Sequence, residues 1–249
     1  MPTTPTHQQR LDVREKPDSA VVMQQNWGHL LFHHWEYDPD EIQKRLPNGV
    51  YVDTYGGKAY LGVVPFFMEK VRPSFCPSIP RLSWFQELNL RTYAHDKHGR
   101  PGVWFFTLDC NQWLAVKLAR TLFHLDYNHA KMSAKMASDK VIYKAIRKGD
   151  DIEQVFHYPY TLQAQQIAQP DTLDFFLLER YRLFSQRNNG NLYEGLVHHT
   201  PYVYQHLRIQ PQPTRLFSLC GFDEPSSAPL SSIAADRVSV KIHPLTRIV

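Results

Sequence analysis

Apolar and polar positions along the chain alternate with the period of strands more often than with that of helices. The run from Trp27 to Trp35 has strand length. Asp38-Pro39-Asp40-Glu41 then supplies an N-cap, a proline at the first helical position and an acid at the third, so a short helix is expected before Pro47-Asn48-Gly49. Val50 to Val64 reads as a hairpin turned at Gly56-Gly57. Prolines at 65, 73, 77 and 80 predict an irregular loop over 65–81, long enough to be a candidate lid. Trp84 to Ala94 and Gly102 to Cys110 are two strong strands. Asn111 is expected to cap a helix over 112–124, with Leu114, Leu118, Leu122 and Leu125 at helical spacing. A second hairpin joins Val141–Arg147 to Ile152–His157, and a last helix is expected over 172–186. Strands near 191–198, 202–209 and 237–243 complete a closed or strongly curved antiparallel sheet with a few covering helices. Residues 1–19, rich in Pro, Thr, Gln and charge, read as a disordered tail, and 20–249 as a single domain.

Composition narrows the function classes. Hydrophobic residues make up 43% of the 249, enough for a sizeable core, and the 13% of aromatics favours half-buried strands. The 28 Lys and Arg against 24 Asp and Glu are scattered, so no basic arm for nucleic acid or a membrane surface is expected. No apolar stretch reaches the roughly 18 residues of a membrane span, and residues 1–20 lack the apolar centre of a signal peptide. Cys76, Cys110 and Cys220 are odd in number and far apart, the pattern of free thiols in a reducing, cytoplasmic setting. The expected partner is a small-molecule ligand; composition sets no oligomeric state.

The candidate chemistry lies on one strand. Glu87, Asn89, Arg91 and Tyr93 share a face, while Leu88, Leu90 and Thr92 share the other. Successive members of that row stand roughly 6–7 Å apart. Arg91 has the forked donor that matches a carboxylate, and Glu87 is a proton carrier if burial raises its pKa. Alternation alone leaves two readings open: a solvated outer face, or the wall of a pocket inside a closed sheet. The 13 histidines include the pairs His33-His34 and His198-His199, yet adjacent strand residues face opposite ways. With no His-Glu-x-x-His or Cys-x-x-Cys spacing, even the separated His34, His129 and His199 read as structural, so no metal or cofactor is expected. Glu179 and Arg182 read as a surface pair. Arg120 near a helix end reads as a complement to the helix dipole.

Several segments together resemble the YqjF-like family, a bacterial domain of the acetoacetate decarboxylase-like superfamily. They are Trp27, Leu31-Phe32, His34-Trp35, Leu46-Pro47, Gly49, Gly62 to Phe66, Glu87 to Tyr93, Gly102 to Asp109, Ala119-Arg120 and Glu179 to Tyr181. The resemblance spans about residues 23–245 and implies an α+β fold, mainly an antiparallel barrel-like sheet with a few covering helices around a pocket. It implies no known reaction. The related decarboxylases form a Schiff base on a lysine after a Gly-Arg or Ala-Arg pair. Here Asn128 and His129 stand where that lysine would be, and Lys131 lies beyond them. The expected site is therefore Glu87 and His129 as acid–base groups, with Asn89, Arg91, Tyr93, His34 and Arg120 as substrate contacts. The expected function is an enzyme acting on a small oxo- or carboxylate-bearing metabolite without a Schiff-base lysine. The alternative is a non-catalytic small-molecule binder or sensor using the same cavity, and an interaction protein if the row is exposed.

Overall fold

A computed structural model describes residues 2–137, 139–209 and 213–248. Near the N terminus α1 (His7–Asp12) is held by a capping box between Thr6 and Gln9. The first apolar run divides into β1 (Met23–Gly28) and β2 (Leu30–Tyr37) at His29, whose φ of 49° turns the chain. Asp38 caps α2 (Pro39–Gln43), as its side chain accepts from the Asp40 amide. Next come β3 (Val50–Val52), β4 (Ala59–Pro73), β5 (Phe85–Asp96) and β6 (Pro101–Cys110). Gln112, one residue after the expected cap, starts α3 (Trp113–Leu118), which runs into a π-helical turn at Ala119–Phe123. The hairpin layer β7 (Tyr127–Ala137), β8 (Lys140–Arg147) and β9 (Gln154–Pro159) follows, then β10 (Gln166–Ile167) and α4 (Leu173–Leu178). The chain ends with β11 (Arg182–Gln186), β12 (Leu192–His199), β13 (Val203–His206), α5 (Leu216–Leu219), β14 (Ser231–Ala235), β15 (Val238–Ile242) and β16 (Thr246–Arg247).

The described strands join one 16-stranded sheet. From β4 the pairings pass through β1, β15, β12, β11 and β6 to β5, which pairs with β4 again. The expected mainly antiparallel barrel is overstated, because β11–β6 and β6–β7 are parallel and the sheet branches at β5. Each strand on the ring separates an inner from an outer face. Phe32, Val64, Phe66, Tyr93, Leu108 and α4 pack inside. Leu31, Leu61, Leu88 and Leu90 pack outside, under β8, β9 and α5. Every residue of β5 is buried, so its polar row is not a solvated face.

Four further expectations change. The supposed N-terminal tail contains α1, which docks because Arg10 makes two 2.6 Å bonds to buried Asp53. The Gly56-Gly57 turn exists, but β3 pairs with β5 and not with β4. The prolines do not break β4 at residue 65. Pro65 has no strand partner on the edge where β4 passes from β2 to β1, and on the other edge it pairs with Leu88. The helix expected over 172–186 stops at Leu178, where Glu179 leaves the helical region at a ψ of 77°. No helix among the described residues is long and apolar enough to cross a membrane.

Candidate functional site

Strand β5 keeps its alternation unbroken against β4, which puts Glu87, Asn89, Arg91 and Tyr93 on the inner face. All four are buried, Arg91 being 8% exposed. Tyr127 donates from its hydroxyl to Glu87 Oε2 at 2.6 Å, and Asn89 Nδ2 donates to Oε1 at 3.2 Å. Burial pushes the Glu87 carboxyl up to about 7, against the opposing pull of those two donors. Glu87 can therefore hold or release a proton near neutrality. Neighbouring Cys110 is pushed up to about 12 by burial first, and by the nearby Glu87 and Asp109 carboxylates, so it is a neutral thiol.

Arg91 donates from Nη2 to the Leu177 carbonyl at 3.1 Å and to the Tyr93 hydroxyl at 3.4 Å. Its guanidinium lies 5.1 Å from the Phe32 ring centre. The other buried arginine, Arg180, is paired with Asp53 at 2.9 Å. Arg91 has no carboxylate partner among the described residues. A buried cation without an anion is costly. Tyr93 also bonds the Leu177 carbonyl at 2.8 Å and lies 2.7 Å from His34 Nε2. His34 is fully buried and held well below its ordinary pKa by burial, then by the charge of Arg91.

The remaining expected residues lie elsewhere. His129 is exposed on β7, so it stands outside the inner row. Arg120 is exposed too, and its guanidinium binds the Tyr127 carbonyl and Asn128. Lys131 is exposed, and no lysine among the described residues is buried. His34 and His199 are buried while His129 is not, and no group of three His, Cys, Asp or Glu suited to a metal occurs among the described residues. The Glu179–Arg182 surface pair is replaced by a buried turn. Glu179 accepts from the Tyr181 hydroxyl and faces Arg14, whereas Arg182 pairs with Glu194. Sequence reasoning missed Tyr127 and the Leu177 carbonyl. Tyr127 begins β7, in a stretch for which no element was expected, and a carbonyl leaves no mark in a sequence.

The DUF2071 family model, described as "Uncharacterized conserved protein", matches residues 24–238. The chain belongs to this family. It is 38% identical to the "Uncharacterized protein YqjF" of Bacillus subtilis (strain 168) over 215 residues, 86% of this chain and 88% of that one. Acetoacetate decarboxylase from Legionella pneumophila shares the fold at a TM-score of 0.63 and 12% identity, covering 95% of this chain and 91% of its own. The enduracididine biosynthesis enzyme MppR, complexed with pyruvate, aligns at 0.59 and 12% identity over 94% and 93%. At that identity these structures establish an acetoacetate decarboxylase-like fold for the DUF2071 chain and nothing about its reaction.

Proposed function

We propose that this DUF2071 chain is an enzyme acting on a small oxo- or carboxylate-bearing metabolite, without a Schiff-base lysine. Arg91 is the anion clamp, Glu87 the proton carrier, and Asn89, Tyr93 and His34 the polar wall. One observation carries the reading: Arg91 is a buried guanidinium with no carboxylate of its own among the described residues. Glu87, on the same face and pushed up to about 7, is a suitable acid–base group for chemistry near neutral pH. The fold neighbours add a precedent of class, since MppR holds pyruvate, an oxo acid. Imine chemistry is unsupported because every lysine stands outside the core. The three free thiols fit a cytoplasmic setting.

The test is turnover of a panel of small oxo acids by the full chain. Arg91→Ala is expected to raise KM at least about a hundredfold, in line with a lost charge-assisted contact. Glu87→Gln is expected to abolish kcat with little change in KM. If both variants turn over every converted substrate like the parent, the assignment is wrong. One observation favours a binding-only reading: both oxygens of Glu87 already accept hydrogen bonds. Under that reading an acid at about 100 times its Kd stabilises the fold by about 2.7 kcal/mol with no turnover.

A further inference from the structure

Strand register aligns Ser231, His34, Gly62 and Arg91 in one row across β14, β2, β4 and β5. Adjacent strands stand about 4.8 Å apart, which leaves the His34 and Arg91 backbones roughly 10 Å apart with β4 between them, and their side chains converge on the Tyr93 hydroxyl. Gly62 makes the row usable. A Cβ there would stand 3.1 Å from His34 Cδ2 and 3.6 Å from Arg91 Cγ. Without it, the imidazole and the arginine stem both lie over the β4 backbone. The Cδ2–Nε2 edge of His34 faces the glycine, and the Nδ1 edge is turned away.

The proton positions follow from counting. The Tyr93 phenol has one hydrogen, and Arg91 can only donate to it. If that hydrogen went to His34 Nε2, the phenol and Leu177 oxygens would oppose each other at 2.8 Å with nothing between them. All three contacts are bonds when the phenol donates to Leu177 and accepts from His34 Nε2–H. A neutral His34 in that tautomer leaves a bare lone pair on Nδ1. His34 Nδ1, Ser231 Oγ and Arg91 Nε are all buried and all lack a hydrogen-bond partner among the described residues. Leaving such an atom unpaired is unfavourable, and the row carries three of them. One is a cationic donor, one a pure acceptor and one a hydroxyl of either sense.

We propose that this row selects a small hydroxylated carboxylate: the carboxylate sits on Arg91, and the hydroxyl hydrogen is received by His34 Nδ1 beside Ser231. The proposal rests on Arg91 as an anion site and adds the class of acid it prefers. Calorimetric titration of the full chain with lactate, propionate and glycerol tests it. Lactate should bind at least about tenfold more tightly than propionate, the worth of one well-formed hydrogen bond. Ser231→Ala should shrink that ratio, and His34→Phe should bring it to about one while both acids still bind. Nitrogen NMR of the unliganded protein gives a second readout that needs no variant, with Nε2 protonated and Nδ1 bare. A bare Nε2 overturns the proposal before any ligand is added. Equal affinity for lactate and propionate overturns the hydroxyl contact and leaves Arg91 as an anion site. Binding of glycerol but of neither acid overturns both readings, and so does binding of none of the three.

Discussion

At Glu87 burial favours the neutral acid, while the Tyr127 and Asn89 donors favour the anion. Tyr127→Phe removes the shorter of those hydrogen bonds, so the Glu87 titration is expected to move to higher pH. A carboxyl-carbon NMR titration measures this, and a downward move would contradict the balance described. The same group sets a stability trend. Its folded pKa of about 7 lies above the ordinary 4.5, so the folded state binds the proton more tightly than the unfolded one. Stability contributed by Glu87 is therefore present at low pH and is lost as pH rises between those values, by about 3 kcal/mol in all. Asp109, pushed to about 6 by burial despite its Arg147 partner, acts in the same direction. The Glu87→Gln variant isolates the first contribution: its denaturation free energy should fall less than that of the parent between about pH 5 and about pH 8.

Single elements owe their places to a few close approaches. The parallel pairing of β6 with β11 depends on Gly102, where a Cβ would stand 2.8 Å from the Arg182 carbonyl oxygen. Neither backbone can yield cheaply, so Gly102→Ala is expected to cost about 1–3 kcal/mol by overpacking. Denaturation midpoints measure it, and a neutral result would mean that the two strands separate freely. Helix α1 is tied down differently. It buries no residue of its own, and Arg10 fastens it to Asp53. Although burial raises the Asp53 carboxyl, Arg180 and Arg10 outweigh it and hold the group below its usual pKa. Arg10→Ala should cost about 2 kcal/mol, the worth of hydrogen bonds to a buried charge. Amide exchange in residues 7–12 should then accelerate while β5 stays protected.

On the scale of the whole molecule, the ring of pairings makes β5 a shared wall. Its leucines serve one apolar cluster, and its tyrosine serves the other. Neither cluster can open without the other, so residues 20–248 are expected to unfold as one unit. Coincident transitions by circular dichroism and tryptophan fluorescence would bear this out, and two separated transitions would divide the chain.

Local signals carried far along this sequence. Alternation located β5, an apolar run located β6, Asp38 marked a helix start, and paired glycines marked the turn at residues 56–57. Each depends on neighbours a few residues apart, which backbone sterics and capping bonds settle locally. The row Glu87, Asn89, Arg91 and Tyr93 was legible for the same reason, since a strand places every second side chain on one face. Its orientation was not. Whether that face meets water or a core depends on β8, β9 and α5 arriving from far along the chain to cover the leucines. Tertiary structure alone also turned Glu179-Arg180-Tyr181 inward and left His129 and Arg120 outside. A side chain's type is written in the sequence, but its partner is chosen by which distant strands pair. Arg91 was readable as a cation; only the fold left it buried without a carboxylate of its own among the described residues.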